Sequence, residues 1–309
     1  MDERTKIAYV FPGQGSQWVG MGRDLYEAST AARETFREAE GVLGVPIPQL
    51  CFYGPEEELI QTINAQPAIL TMSIACLRAR MEGGQGLSKP SFLAGHSLGE
   101  YTALVASGAL DFADALCLVR ERGRLMQGAG GRVAGGMAAI IGLDEVTVEE
   151  VSEEAGAEVA NLNSSQQIVI SGSKEVLAMA MDLARARGAK RVIPLDVSGA
   201  FHSSLMEPTI EGMEKAISQF TFRDPIIPVV VNCTAQPVTT AEEIKQELLR
   251  QLINCVQWRS SVEYMVGAGV SAFLEIGPGQ VLSGLIKRIS QNVLTMSIGD
   301  IRSIRDLIF

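Results

Sequence analysis

The first residues with evident chemistry are Gly95-His96-Ser97-Leu98-Gly99, a GxSxG pentapeptide. A serine flanked by glycines on a strand-to-helix turn is a nucleophile elbow, which holds its hydroxyl out at the end of a strand. A serine nucleophile needs a base within hydrogen-bond reach. The chain contains two histidines, His96 and His202. His96 adjoins Ser97 on the turn, so its side chain must point away. By elimination His202 is the base. The Leu98 N–H, at the start of the following helix, faces a developing oxyanion. No carboxylate is well placed as a third member. Asp196 lies at a strand end before His202 and is not expected to reach back. A backbone carbonyl or an amide is left to orient the ring. A Ser–His pair of this kind suits an activated thioester better than an amide. Arg122 sits in the apolar run Leu116-Cys117-Leu118-Val119 to Leu125-Met126. It is either a solvated or snorkelling helix residue, or a fixed guanidinium that grips a carboxylate bidentately.

These residues need a scaffold, and the pattern around them supplies one. Pro90–Ala94 reads as a buried strand before the elbow, and 100–106 as a helix after it. Lys6–Phe11 reads as a first strand, running into the loop Pro12-Gly13-Gln14-Gly15-Ser16-Gln17. That loop lacks the ending of a P-loop and the third glycine of a dinucleotide fingerprint. Helices are expected at 27–43, 67–80 and 111–126, with a connecting loop at 81–89. The glycine-rich stretch 128–136 reads as a domain boundary. Beyond it the order strand 137–141, helix 144–155, strands 158–162 and 167–171, helix 174–187 and strand 189–196 is the ferredoxin-like β-α-β-β-α-β arrangement. After His202 come a helix at 206–219, a strand at 227–232, helices at 241–252 and 260–267, a strand at 272–276, a helix at 281–289 and a strand at 293–297. Strands alternating with helices on both sides of the insertion imply a parallel sheet covered by helices. The expected fold is α/β: a parallel-sheet, α/β-hydrolase-like large domain (1–130 and 203–309) with an inserted ferredoxin-like small domain (131–202).

The composition removes several function classes. The 309 residues carry a formal charge of −10, which argues against nucleic acid and anionic membranes as partners. Five scattered cysteines with no CxxC pair fit a reducing compartment and neither a disulfide framework nor a zinc site. No signal-peptide or membrane-span pattern is visible, so a cytoplasmic protein is expected.

Together the motifs FPGQGSQ (11–17), GHSLGEY (95–101), ERGRLMQ (121–127), GMAAIIG (136–142), GAFHSSLM (199–206), VQW (256–258) and EIGPG (275–279) resemble the blocks of the malonyl-CoA:acyl carrier protein transacylases, in their order. The likeness runs from about residue 5 to 298. It implies transfer of a malonyl group from malonyl-CoA to acyl carrier protein, for fatty acid or polyketide synthesis. The steps would be ping-pong, through a malonyl ester on Ser97 with His202 as base. The N–H groups of Gln14 and Leu98 would form the oxyanion hole, and Arg122 would pair with the malonyl carboxylate. A backbone carbonyl near Gln257 would hold His202. Asn163 and Gln166 would line the cleft from the small domain. Phe201 stands where related polyketide domains have a phenylalanine when they take malonyl over methylmalonyl. No metal or other cofactor is implied, and the enzyme is expected to be a monomer. Acyl carrier protein is acidic, so an acidic enzyme needs a local basic patch to meet it. Lys190 and Arg191, with Arg185 and Arg187 before them, and Lys287 with Arg288, are either that patch or ordinary solvated faces. The rival reading is a serine esterase or thioesterase of α/β-hydrolase type, which shares the elbow. It needs an acid before the histidine and usually an HGGG-like loop, and neither is present.

Overall fold

The computed structural model describes residues 6–82 and 87–307. Its centre is a six-stranded sheet in the order β10-β9-β1-β2-β7-β8. The strands are β1 Lys6–Phe11, β2 Phe92–Gly95, β7 Val229–Val230, β8 Pro237–Val238, β9 Val270–Ile276 and β10 Leu294–Ile298. All pair in parallel except β8, which closes the edge against β7 in antiparallel sense. β1 reads as a continuous apolar run because both faces of a parallel sheet are covered. Alternate side chains serve the two faces. Ile7, Tyr9 and Phe11 join the main core with the helices Thr30–Leu43 and Thr62–Glu82. Ala8 and Val10 pack with Trp258, Val262, Leu285 and Ile286 on the other side.

The second sheet has four antiparallel strands in the order β4-β5-β3-β6. They are β3 Gly135–Ile141, β4 Glu158–Ser164, β5 Gln167–Ser173 and β6 Arg191–Pro194. The helices Glu145–Ala155 and Lys174–Ala186 cover one face through Val148, Val151, Leu177 and Ala180. On the opposite face Met137, Ala139 and Val169 join the main core. Those strand positions therefore look across to the large sheet. Hydrogen bonds from Leu162 N–H to Val256 O and from Val256 N–H to Ala160 O, both 2.9 Å, tie β4 to the chain ahead of Gln257.

Within the glycine-rich stretch 128–136 a helix ends and β3 begins, at Gly135. The helix begun at Phe112 continues to Arg132, straight through Gly128, Gly130 and Gly131. Gly130 is small because the chain returning from β6 crosses it: a methyl carbon there would lie 2.0 Å from Ser198 O. The helix expected from Met206 opens instead as the 3-10 turn Ser204–Thr209 around Pro208, and becomes α-helical at Ile210–Ile217. Pro208 has no N–H to donate inside an α-helix. Of the loop expected at 81–89, Met81 and Glu82 are helical, and Gly83, Gly84 and Gly86 lie outside the described residues. Five elements lacked a clear sequence pattern: the helices Arg23–Ala28, Ile47–Tyr53, Glu56–Leu59 and Ile301–Asp306, and the two-residue strand β8. Among the described residues no helix is long and apolar enough to cross a membrane.

Candidate active site

β2 ends at Gly95 and the helix Leu98–Ala106 begins three residues later. Ser97 turns the corner with φ 50° and ψ −104°, a conformation rare for a residue with a side chain. The glycines serve the crossing of backbones. A methyl carbon at Gly95 would lie 1.9 Å from Gly99 C, and one at Gly99 2.0 Å from Phe11 O at the end of β1. The loop after β1 is pressed against the same corner, since a methyl carbon at Gly13 would lie 2.4 Å from His96 O. Elbow and Gln14 loop are thus locked side by side at the C-terminal ends of adjacent parallel strands, where open α/β sheets place their ligands.

Ser97 Oγ lies 2.7 Å from His202 Nε2. His202 Nδ1 lies 2.7 Å from the backbone oxygen of Gln251. A carbonyl only accepts, so Nδ1 carries the proton and Nε2 is the lone-pair nitrogen facing the serine. His202 itself has φ 57° and is buried. Its turn is pinned by Ser171 Oγ–H donating to Phe201 O and Ser203 Oγ–H donating to Ala200 O, both 2.6 Å. Burial, and then the Arg122 charge, lower the His202 pKa to about 3. The imidazole is therefore neutral and free to take a proton.

The carbonyl on His202 corrects the expectation for Gln257. That residue caps the helix Trp258–Gly267, and its carbonyl accepts from Ser261 N–H and Ser261 Oγ–H, both 2.9 Å. A carbonyl at a helix start is consumed by the helix. Gln251 ends the preceding helix, Ala241–Arg250, where the last carbonyls have no partner within the helix. One of them is free for His202, and the negative end of that helix dipole favours the imidazolium formed during reaction. The Gln251 side chain contributes as well. Its Oε1 accepts from Arg122 Nη2 at 2.9 Å, and its Nε2 donates to Ser97 O at 3.1 Å. No sequence motif marked Gln251.

Of the two readings of Arg122, the structure shows the site-facing one. The guanidinium is 1% exposed and its Nη2 donates to Ser97 Oγ at 3.1 Å. It lies over the Tyr101 ring, 5.4 Å from the centroid. Burial pulls its pKa down while Tyr101 and Glu100 push it back up. A cavity of about 260 Å³ opens here, lined by Gln14, Ser97, Leu98, Arg122, Asn163 and Phe201, among others. The Gln14 side chain donates from Nε2 to Thr62 Oγ1 at 3.2 Å. Asn163 Oδ1 is 2.8 Å from His96 Nε2. His96 does point away from Ser97, and burial lowers its pKa.

Gln166 is corrected: it sits exposed in the turn between β4 and β5, bonded to Ser165 O, and Gln167 lines the cavity in its place. Asp196 is exposed. Lys190, Arg191, Lys287 and Arg288 are all exposed. Arg288 Nη1 donates to Gln167 Oε1 at 2.9 Å. Gln167 pairs with Ile141, and Ile141 with Arg191. Two strand spacings, about 10 Å, therefore separate Arg191 from the residue that holds Arg288.

The acyl transferase domain family matches residues 8–301. The malonyl CoA-acyl carrier protein transacylase of Bacillus subtilis (strain 168) is 45% identical over 96% of this chain and 94% of its own length. The chain belongs to the malonyl CoA-acyl carrier protein transacylase family. The enzyme of that name from Escherichia coli (strain K12) is 44% identical, covering 96% of each chain. Among solved structures, an acyl carrier protein S-malonyltransferase from Vibrio cholerae superimposes with a TM-score of 0.92 at 42% identity, covering 97% of this chain and 99% of its own. A malonyl-transacylase solved in complex with its holo type II PKS acyl-carrier protein gives 0.93 at 42% identity, covering 97% and 98%. The chain is accordingly a mixed α/β acyltransferase.

Proposed function

We propose that the chain transfers the malonyl group of malonyl-CoA to the phosphopantetheine thiol of acyl carrier protein, in two half-reactions joined by a malonyl ester on Ser97. In the first, His202 Nε2 takes the hydroxyl proton while Ser97 Oγ attacks the thioester carbonyl. The oxyanion meets the N–H groups of Gln14 and Leu98. Its collapse breaks the C–S bond, and the imidazolium gives its proton to the leaving CoA sulfur. In the second, His202 takes the proton from the carrier thiol, sulfur attacks the ester, and Ser97 recovers its hydrogen. The thioester supplies the activation, so protons and hydrogen bonds carry every step. The names of the relatives, and the carrier protein held by one solved neighbour, support this choice of substrates. We read residues 131–202 as a ferredoxin-like domain inserted in a hydrolase-like large domain, together walling the cleft. We read the protein as a cytoplasmic monomer feeding fatty acid or polyketide synthesis.

The observation that carries the reading is the buried Arg122 guanidinium at 3.1 Å from the nucleophile. A malonyl group differs from an acetyl group by one free carboxylate, and this cation is its natural partner. Removing one member of such a buried pair costs about 2–5 kcal/mol, or roughly 30- to several-thousand-fold in kcat/KM. Arg122→Ala should lose that factor for malonyl-CoA. It should lose much less for acetyl-CoA, which never had the pair. Because Arg122 also holds Gln251, whose carbonyl holds His202, some rate is lost for both substrates, and the ratio is the quantity to read. Arg122→Lys should restore the ratio only in part, since an ammonium lacks the planar fork. An unchanged malonyl-to-acetyl ratio in Arg122→Ala rejects the assignment.

A further inference from the structure

Ser97 holds a backbone conformation that its neighbours must enforce. The enforcement runs through one side chain, that of Asn232. Asn232 follows β7, next to the elbow in the sheet, and is 1% exposed. Its Oδ1 accepts the Ser97 N–H at 2.7 Å, and its Nδ2 donates to Gly95 O at 2.7 Å. One amide thereby spans the corner from the last residue of β2 to the nucleophile. Its own backbone is fixed at both ends. Asn232 N–H donates to Glu100 Oε2 at 2.7 Å, and Asn232 O accepts from Gln257 N–H at 2.8 Å. Glu100 lies on the helix that Ser97 starts and is fully buried. A buried carboxyl facing a backbone N–H is costly unless it is used. Burial and the neighbouring Glu247 raise the Glu100 pKa well above the usual carboxylate range. The next N–H, of Cys233, goes to Glu247 Oε1 at 2.8 Å, which anchors the same segment once more.

We infer that Asn232, held in place by Glu100, is the positioning residue that keeps Ser97 in its strained, reactive geometry. Without it the Ser97 N–H and Gly95 O lose their buried partners, and the corner relaxes toward an ordinary turn. Oγ then shifts against His202 and the oxyanion donors, and a displacement near 1 Å costs about 10²-fold in rate. The inference rests on Ser97 being the nucleophile.

The test uses two reagents on the folded protein. One is malonyl-CoA, followed by CoA release and by the mass of the Ser97 adduct. The other is a small fluorophosphonate, which needs the reactive serine but none of the malonyl contacts. Asn232→Ala should slow both by a similar factor, about 10- to 100-fold, with the KM for malonyl-CoA little changed. Loss with malonyl-CoA alone would make Asn232 a binding residue and overturn the inference. Wild-type rates with both reagents, in protein of merely lower Tm, would overturn it too. If wild type is not labelled at Ser97 by either reagent, the proposed function fails and the inference with it. Glu100→Gln and Glu100→Leu read the same strut if Asn232→Ala does not fold. The amide oxygen of glutamine still accepts the Asn232 N–H, so Glu100→Gln should react at least about tenfold faster than Glu100→Leu. Equal rates in that pair would overturn the inference.

Discussion

His202 is buried beside a cation, and both facts act in one direction. Each disfavours the imidazolium, and together they bring its pKa down to about 3. A depressed pKa leaves the base unprotonated at every pH above it. The kcat/KM for Ser97 acylation should therefore stay flat from pH 8 to 5. An exposed imidazole would lose half its activity near pH 6.5. A limb with a midpoint near 6.5 in the CoA-release assay would show that His202 titrates freely. Stability takes the opposite course. Below about 6.5 the unfolded chain protonates this histidine and the folded one does not, so stability should fall as pH drops toward 3. His202→Ala should slow acylation by about 10²–10⁴-fold, the usual contribution of a positioned base. Acylation at the wild-type rate would mean that another group takes the proton.

The helix Phe112–Arg132 carries Arg122 into the site and then runs on under the returning chain at Ser198. Its glycines are not equivalent. A methyl carbon at Gly128 would meet nothing within 4 Å, whereas one at Gly130 would meet Ser198 O at 2.0 Å. Gly128→Ala should therefore stabilise, by roughly the 0.5–1 kcal/mol that alanine gains over glycine in a helix. Gly130→Ala should lower Tm despite the same gain in propensity, because a backbone oxygen cannot move aside as a side chain does. Thermal unfolding of the two variants gives opposite signs if the helix and its crossing are as described. The same sign in both would make this stretch a loose linker. Helix ends matter equally at His202. The end of Ala241–Arg250 offers a free carbonyl, while the start of Trp258–Gly267 has its own in use.

Across the whole molecule, a net charge of −10 repels an acidic partner. Lys190, Arg191, Lys287 and Arg288 are exposed, and we propose them as the local exception, a rim that meets carrier protein. Arg288 is already oriented by Gln167, which lines the cavity. Reversing Lys287 and Arg288 to glutamate should raise the KM for carrier protein, with a smaller effect on malonyl-CoA. Added salt should weaken the wild-type dependence and leave the variant little changed, since exposed charges are screened. Equal KM effects on both substrates, or none, would remove this rim as a docking surface.

The local pattern of the chain was enough for the elements nearest the chemistry. The strand Lys6–Phe11 and the helix Val281–Ile289 have the bounds expected from their apolar runs. The elbow at Ser97 and the pairing with His202 followed from a short motif and from there being two histidines. Residues 137–196 gave the strand and helix order of the second sheet, because short apolar runs bounded by turn residues switch to helical spacing there. Packing decided the rest. Glycines at 128–131 look like a linker until Ser198 is seen crossing them. Arg122 is a surface or a buried residue depending on which neighbours cover its helix face. Gln251 and Asn232 lie far from Ser97 in the chain and carry no motif; they matter because a helix end and a strand end converge on the elbow. A hydrogen bond to a backbone carbonyl needs no particular side chain on the residue that accepts it, so the sequence holds no record of which carbonyl does so. That choice belongs to the tertiary fold.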